Sequence, residues 1–168
     1  FTNWLYPERN PFDFKSLGDY YRFLDDNDIR TLKGEKVKSF AECVIANYLF
    51  RMGVNYQYEA TYQPIQRSAT HRAYKPDFFL PDYEIYIEHF GVGRDGNPAP
   101  YINSVEYKEG MRWKRSVHKE HKTTLVETFH YEQQEGHLLE CLELRLRAAQ
   151  VVFEPLPPEA ILETLREF

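Results

Sequence analysis

No stretch of the chain is apolar for long enough to span a bilayer as a helix. A membrane anchor is therefore not expected. Nor is a secretory leader, because the first residues, FTNWLYPERN, lack a basic start followed by an apolar core. The glycine patterns of nucleotide-binding folds are missing as well. There is no GxGxxG for a dinucleotide, no GxxxxGK[ST] for an ATP-driven motor and no GxSxG nucleophile elbow. Cysteine is scarce: Cys43 and Cys141 are the only two, and neither belongs to a CxxC pair. A disulfide framework is excluded, and reduced, buried thiols in a cytoplasmic protein are expected. The six histidines show no zinc spacing; HKEH at 118–121 is an i, i+3 pair and no more. Positive charge is in deficit, 21 Lys and Arg against 26 Asp and Glu, which argues against nucleic acid as a partner on total charge alone.

What the chain does have is apolar bulk. It is 42% hydrophobic, with 13 Tyr and 12 Phe in 168 residues, enough to build a core and too much for a disordered segment. The length suits one domain. The first residue is Phe, so a piece of a longer protein is expected. Residues 1–33 carry Trp4, Tyr6, Phe12, Phe14, Tyr20, Tyr21 and Phe23 and read as a lead-in that packs on the main fold. Residues 34–154 read as the core domain, and 155–168 as a helical tail leading to a missing part of the parent.

Apolar residues at Val37, Phe40, Val44, Ile45, Tyr48 and Leu49 form a 3.6-residue stripe, predicting a helix over 34–52 that stops at Gly53. Three strands are expected next, at 54–62, 73–80 and 83–90, the last two joined by a Pro-Asp turn at 81–82. A helix over about 103–121, a strand at 123–131, a helix at 135–150, a short strand at 151–153 and a helix from 158 complete the reading. The core order is α-β-β-β-α-β-α. It implies an α/β or α+β fold with a central mixed four-stranded sheet flanked by helices.

Asp77 and Glu88 stand where the second and third strands need core residues. A tight hairpin brings such residues within side-chain reach. Two bare carboxylates that close repel, and one stays protonated unless a cation lies between them. Hard oxygen ligands with room for water suit Mg²⁺ or Mn²⁺, which polarise a phosphodiester and activate water. Glu42, in SFAECVIA, adds a third acid in the middle of an apolar helix. A single acid in a strand is more often a surface residue than a catalytic one. It is the conjunction of three that favours chemistry.

The succession of a helix glutamate, then PDF, then IYIEH resembles the PD-(D/E)xK nuclease superfamily with its restriction-endonuclease-like core. TLKGEKVKSFAECVIANYLFRMGVNYQYEATY, YKPDFFLPDYEIYIEHFG and YKEGMRWKRSVHKEHKTTLVET are similar to the nuclease-like domain of superfamily 1 DNA helicases of the UvrD and helicase IV type. The likeness spans residues 28–153. It implies a metal-dependent DNA nuclease domain serving DNA repair, with Asp77 and Glu88 as direct ligands of Mg²⁺ or Mn²⁺. The His89 carbonyl would be a further ligand, and Glu42 would act through water. The motor would lie elsewhere in the same parent chain. One departure stands out: the pattern has lysine two residues after Glu88, where this chain has Phe90. Lys114 on the next helix is the first candidate to replace it. Lys75, two residues before Asp77, and His89 are the others, although alternation points His89 to the opposite face.

Lys108, Arg112, Arg115, Lys119 and Lys122 recur at helical spacing and form one stripe. A charged stripe is often a solvated face; beside a metal site it reads as a track for DNA phosphates, without base readout. Two rivals remain: a DNA-binding accessory domain that has lost catalysis with the lysine, and a regulatory protein-interaction domain suggested by the aromatic N-terminal segment.

Overall fold

The computed structural model describes residues 8–65 and 73–167. Trp4 and Tyr6 of the aromatic lead-in lie outside them. After a 3-10 turn at Pro11–Asp13, α1 spans Leu17–Asp26 and α2 spans Phe40–Arg51. Three strands follow: β1 Gln57–Tyr58, β2 Phe78–Leu80 and β3 Ile85–Phe90. Then come α3 Ser104–Glu120, β4 Thr124–Phe129, α4 His130–Gln134, α5 Leu138–Ala148 and α6 Pro158–Arg166.

The sheet order is β1-β2-β3-β4. The first two pairings are antiparallel and β3–β4 is parallel, so the sheet is mixed, as expected. A parallel pair needs a crossover, and α3 supplies it. The side-chain period of two then sorts the residues. Ile85, Ile87, Phe78, Leu80 and Val126 pack with α2 and with Leu138, Leu142 and Leu146 of α5. On the opposite face Tyr86 packs with Val117 of α3. The α+β class of the molecule is thus seen directly. No helix among the described residues is long and apolar enough to cross a membrane.

Several boundaries differ from expectation. The strand expected at 54–62 contracts to two residues, and that at 73–80 to three. Pro76 has no N–H to give a ladder, which is consistent with β2 starting only at Phe78. Residues 34–39 are not helical; Ser39 is the N-cap of α2, its hydroxyl accepting from Glu42 N at 3.1 Å. Val37 is buried all the same, in a second cluster with Tyr20, Leu24, Phe40 and Cys43. α2 is therefore covered on two sides. The strand expected at 123–131 turns into α4 at His130, and 151–153 is not a strand. Instead Glu154 N and Leu156 N donate to Met52 O and Arg51 O, stitching this segment to the end of α2. Gly53 permits the approach: its φ is +69°, and a Cβ there would lie 2.2 Å from the Glu154 carbonyl oxygen. Cys43 is buried, but Cys141 is only half-buried.

Candidate functional site

The antiparallel register pairs Phe78 with Ile87. Asp77, just before β2, and Glu88, on β3, are the next residues outward from that pair. Glu88 follows Tyr86 onto the α3 face of the sheet and is fully buried. Both carboxylate oxygens are engaged: Oε1 accepts from the Tyr74 hydroxyl at 2.7 Å, and Oε2 is 2.9 Å from Lys114 Nζ. Asp77 is half-buried, and its Oδ2 accepts from His89 N at 2.7 Å. Burial raises the Asp77 carboxyl well above the usual range, and the charges of Glu88 and then Glu42 raise it further. The Lys114 charge and the His89 N–H pull the other way. Asp77 therefore feels both other acids.

Glu42 is buried in the first turn of α2. Burial raises its carboxyl too, opposed by the Tyr58 hydroxyl and the Lys38 N–H, both of which donate to Oε2. Glu42, His89 and Lys114 line one cavity of about 290 Å³, with Tyr20 from α1, Tyr107 from α3 and His130 from α4. Neither Asp77 nor Glu88 lines it; Lys114, which contacts Glu88, does. The Lys114 ammonium also lies 5.7 Å from the Phe90 ring centroid.

Lys75 is exposed and, like Asp77, precedes β2, so strand alternation does not place the two on one face. The His89 ring turns to the opposite face, Nδ1 2.9 Å from Thr128 Oγ1. Burial, and then the neighbouring His130 charge, hold its pKa down to about 3. It is a neutral ring near pH 7.

The basic stripe does not line the cavity of Glu42 and Lys114. Lys108 Nζ donates to Asn97 Oδ1 at 2.7 Å, and Arg115 forks onto Glu127. Arg112 and Lys119 are exposed. Lys122 falls beyond the end of α3, at φ +55°, off the helical stripe.

Residue patterns alone missed the network behind Glu88. Tyr74 OH lies 3.2 Å from His118 Nε2, His118 Nδ1 2.7 Å from Thr123 Oγ1, and Thr123 Oγ1 2.6 Å from Tyr62 OH. Tyr74 spends its proton on Glu88, so it accepts from His118 Nε2–H, and Nδ1 accepts from Thr123. Every donor in the chain then points toward the carboxylate. Burial, followed by the charges of His121 and Lys114, lowers the His118 pKa to about 4. The Trp113 ring meets the Tyr74 ring edge-on at 5.3 Å, so anchoring is its visible role.

No known protein family matches the chain. No solved structure matches it either. Over 72 residues it is 33% identical to the uncharacterized protein MJ1519 of Methanocaldococcus jannaschii. That stretch is 42% of this chain and 6% of the other, so the chain spans a small fraction of its relative's length.

A hard cation can be tested against the donors present. Asp77 Oδ1 and Glu42 Oε1 carry no hydrogen bond among the described residues. They are oxygen donors of the kind Mg²⁺ and Mn²⁺ prefer. Their number is short: among the described residues no three His, Cys, Asp or Glu side chains are grouped closely enough to hold a metal. The donors fit in type but not in number.

Proposed function

We propose that the chain is a divalent-metal-dependent phosphodiesterase acting on DNA, built on a restriction-endonuclease-like core and working as a domain of a helicase-like parent. The observation that carries this reading is the contact of Lys114 with the buried Glu88 at 2.9 Å, next to Asp77, whose carboxyl the charges of Glu88 and Glu42 raise, with Lys114 and Glu42 also lining a cavity. Asp77, Glu88 and Glu42 would hold Mg²⁺ or Mn²⁺, which supplies Lewis-acid stabilisation of phosphate charge and an activated water. Lys114 offsets the negative charge of Glu88 in the resting protein and is placed to transfer to a phosphate oxygen when one arrives. The Tyr74–His118–Thr123 chain holds Glu88 in one orientation throughout.

A second reading draws support from the same contact. Lys114 already neutralises Glu88, and a site content without metal is what a DNA-binding domain that has lost catalysis would keep. Calorimetric titration with Mn²⁺, wild type against Asp77→Asn, together with cleavage of plasmid and single-stranded DNA, separates the two. Metal binding and cutting that both vanish in the variant support the nuclease. DNA binding without metal uptake in wild type overturns it in favour of the accessory domain.

A further inference from the structure

On the other flank of α3 from Lys114 lies a second cavity, of about 280 Å³. Its charged lining residues are Arg94, Lys108, Arg112 and Arg115, four cations and no acid, in a chain of net charge −5. Three of the four are braced. Arg115 grips Glu127 through Nε and Nη2, and Arg94 grips Glu135 in the same way. Lys108 is held by the neutral Asn97. The two clamping carboxylates stand outside the lining. Each guanidinium keeps Nη1 without a hydrogen bond among the described residues. Arg112 has no ion pair among them, so its charge is uncompensated.

Rings fix the arginines further. Arg94 lies 5.0 Å from the Tyr131 centroid and Arg115 5.3 Å from that of Phe90. Preformed forks with unspent N–H groups around a small cavity are suited to a phosphate, which accepts from several donors at once. The apolar remainder of the lining, Val92, Met111, Phe129 and Tyr131, suits the sugar or base attached to it.

We propose that this cavity is an anion subsite that seats a phosphate group of a nucleotide chain, separate from the carboxylate site. The identity of the polymer rests on the nuclease reading; the capture of phosphate does not. Arg94, which belongs to no helical stripe, joins Lys108, Arg112 and Arg115 through the turn at 93–96.

The test is run on the full chain, metal-free in EDTA at low salt. Inorganic phosphate is titrated first, then short oligonucleotides with either a 5′-phosphate or a 5′-hydroxyl. Arg112 is exposed, so Arg112→Gln is expected to fold as wild type does. Arg51→Gln, at the end of α2, removes the same charge elsewhere. The expected result is at least a tenfold loss of phosphate affinity in Arg112→Gln, little change in Arg51→Gln, and recovery in Arg112→Lys. A preference for the 5′-phosphate assigns the subsite to a strand end; equal binding of both oligonucleotides assigns it to an internal phosphodiester. Equal loss in Arg112→Gln and Arg51→Gln, or no phosphate binding by wild type, overturns the proposal. Asp77→Asn is expected to bind phosphate normally, so failure of the metal reading and failure of this one give different results.

Discussion

At the scale of single residues, the decisive contact is Lys114 on Glu88. Breaking a buried ion pair from one side strands a charge, at a cost of about 3 kcal/mol for a partly exposed partner. Lys114→Met should therefore lower the melting temperature clearly. Mn²⁺ should then restore more stability to the variant than it adds to wild type, because the ammonium and the metal compete for one carboxylate. A thermal shift indifferent to Mn²⁺ in both proteins would count against metal binding at Glu88. His118 gives a pH signature. Its folded pKa of about 4 lies below its usual 6.5, so folding excludes a proton. The stability this group contributes is present above pH 6.5 and is lost as pH falls through about 4. Asp77 acts with opposite sign: its raised carboxyl favours the fold at low pH and opposes it once ionised. His118→Gln should flatten the acid limb of the stability profile measured by urea denaturation. An unchanged limb would place the acid sensitivity elsewhere.

At the scale of elements, α2 is the piece that presents Glu42. Its N-cap hydroxyl and its tight exit are separately testable. Ser39→Ala should cost about 1 kcal/mol. Gly53→Ala should cost more than about 1 kcal/mol, because a left-handed backbone and a carbonyl contact fail together. Midpoints of denaturation by guanidinium would rank the two, and the reverse order would argue that the Glu154 contact relaxes freely. The order of helices and long strands was legible because apolar periodicity reports burial directly, as Val44–Leu49 and Ile85–Ile87 do. The extents of β1 and β2 were not. Alternation in VNYQYEATY looks like a strand, but pairing is decided by the neighbour, and β2 offers only three residues to pair with. That Asp77 and Glu88 lie across from each other was legible for the same reason that the hairpin was, and Lys114 does contact Glu88. The Tyr74–His118–Thr123 chain and the place of Arg94 were not, since neither hydrogen bonds across elements nor a turn beside a helix leave a period in the sequence. Why Lys75 stands apart was equally hidden: its face assignment assumed a strand that starts three residues later.

At the scale of the whole molecule, charge is divided rather than uniform. The net charge is −5, yet the cavity on one flank of α3 gathers Arg94, Lys108, Arg112 and Arg115. Binding to single-stranded DNA should therefore be weak overall and strongly salt-dependent. With about three phosphates engaged, the slope of log affinity against log salt should be roughly −2. Fluorescence anisotropy across a salt series measures it, and a slope near zero would remove DNA phosphates from the list of ligands.

Tyr20 joins the N-terminal segment to the site helix. It is fully buried, its hydroxyl accepts from Phe40 N at 2.9 Å, and its ring forms part of the cavity wall beside Glu42. A fragment beginning at Gly34, where the sequence pattern would invite a cut, would leave an orphan N–H at the first turn of α2 and bare the Phe40 and Cys43 side chains to water. Limited proteolysis in the intact chain should accordingly spare the segment from Pro11 to Ile29. Any shortened version made for crystallisation or assay has to start upstream of that tyrosine to keep the acid site it is meant to study.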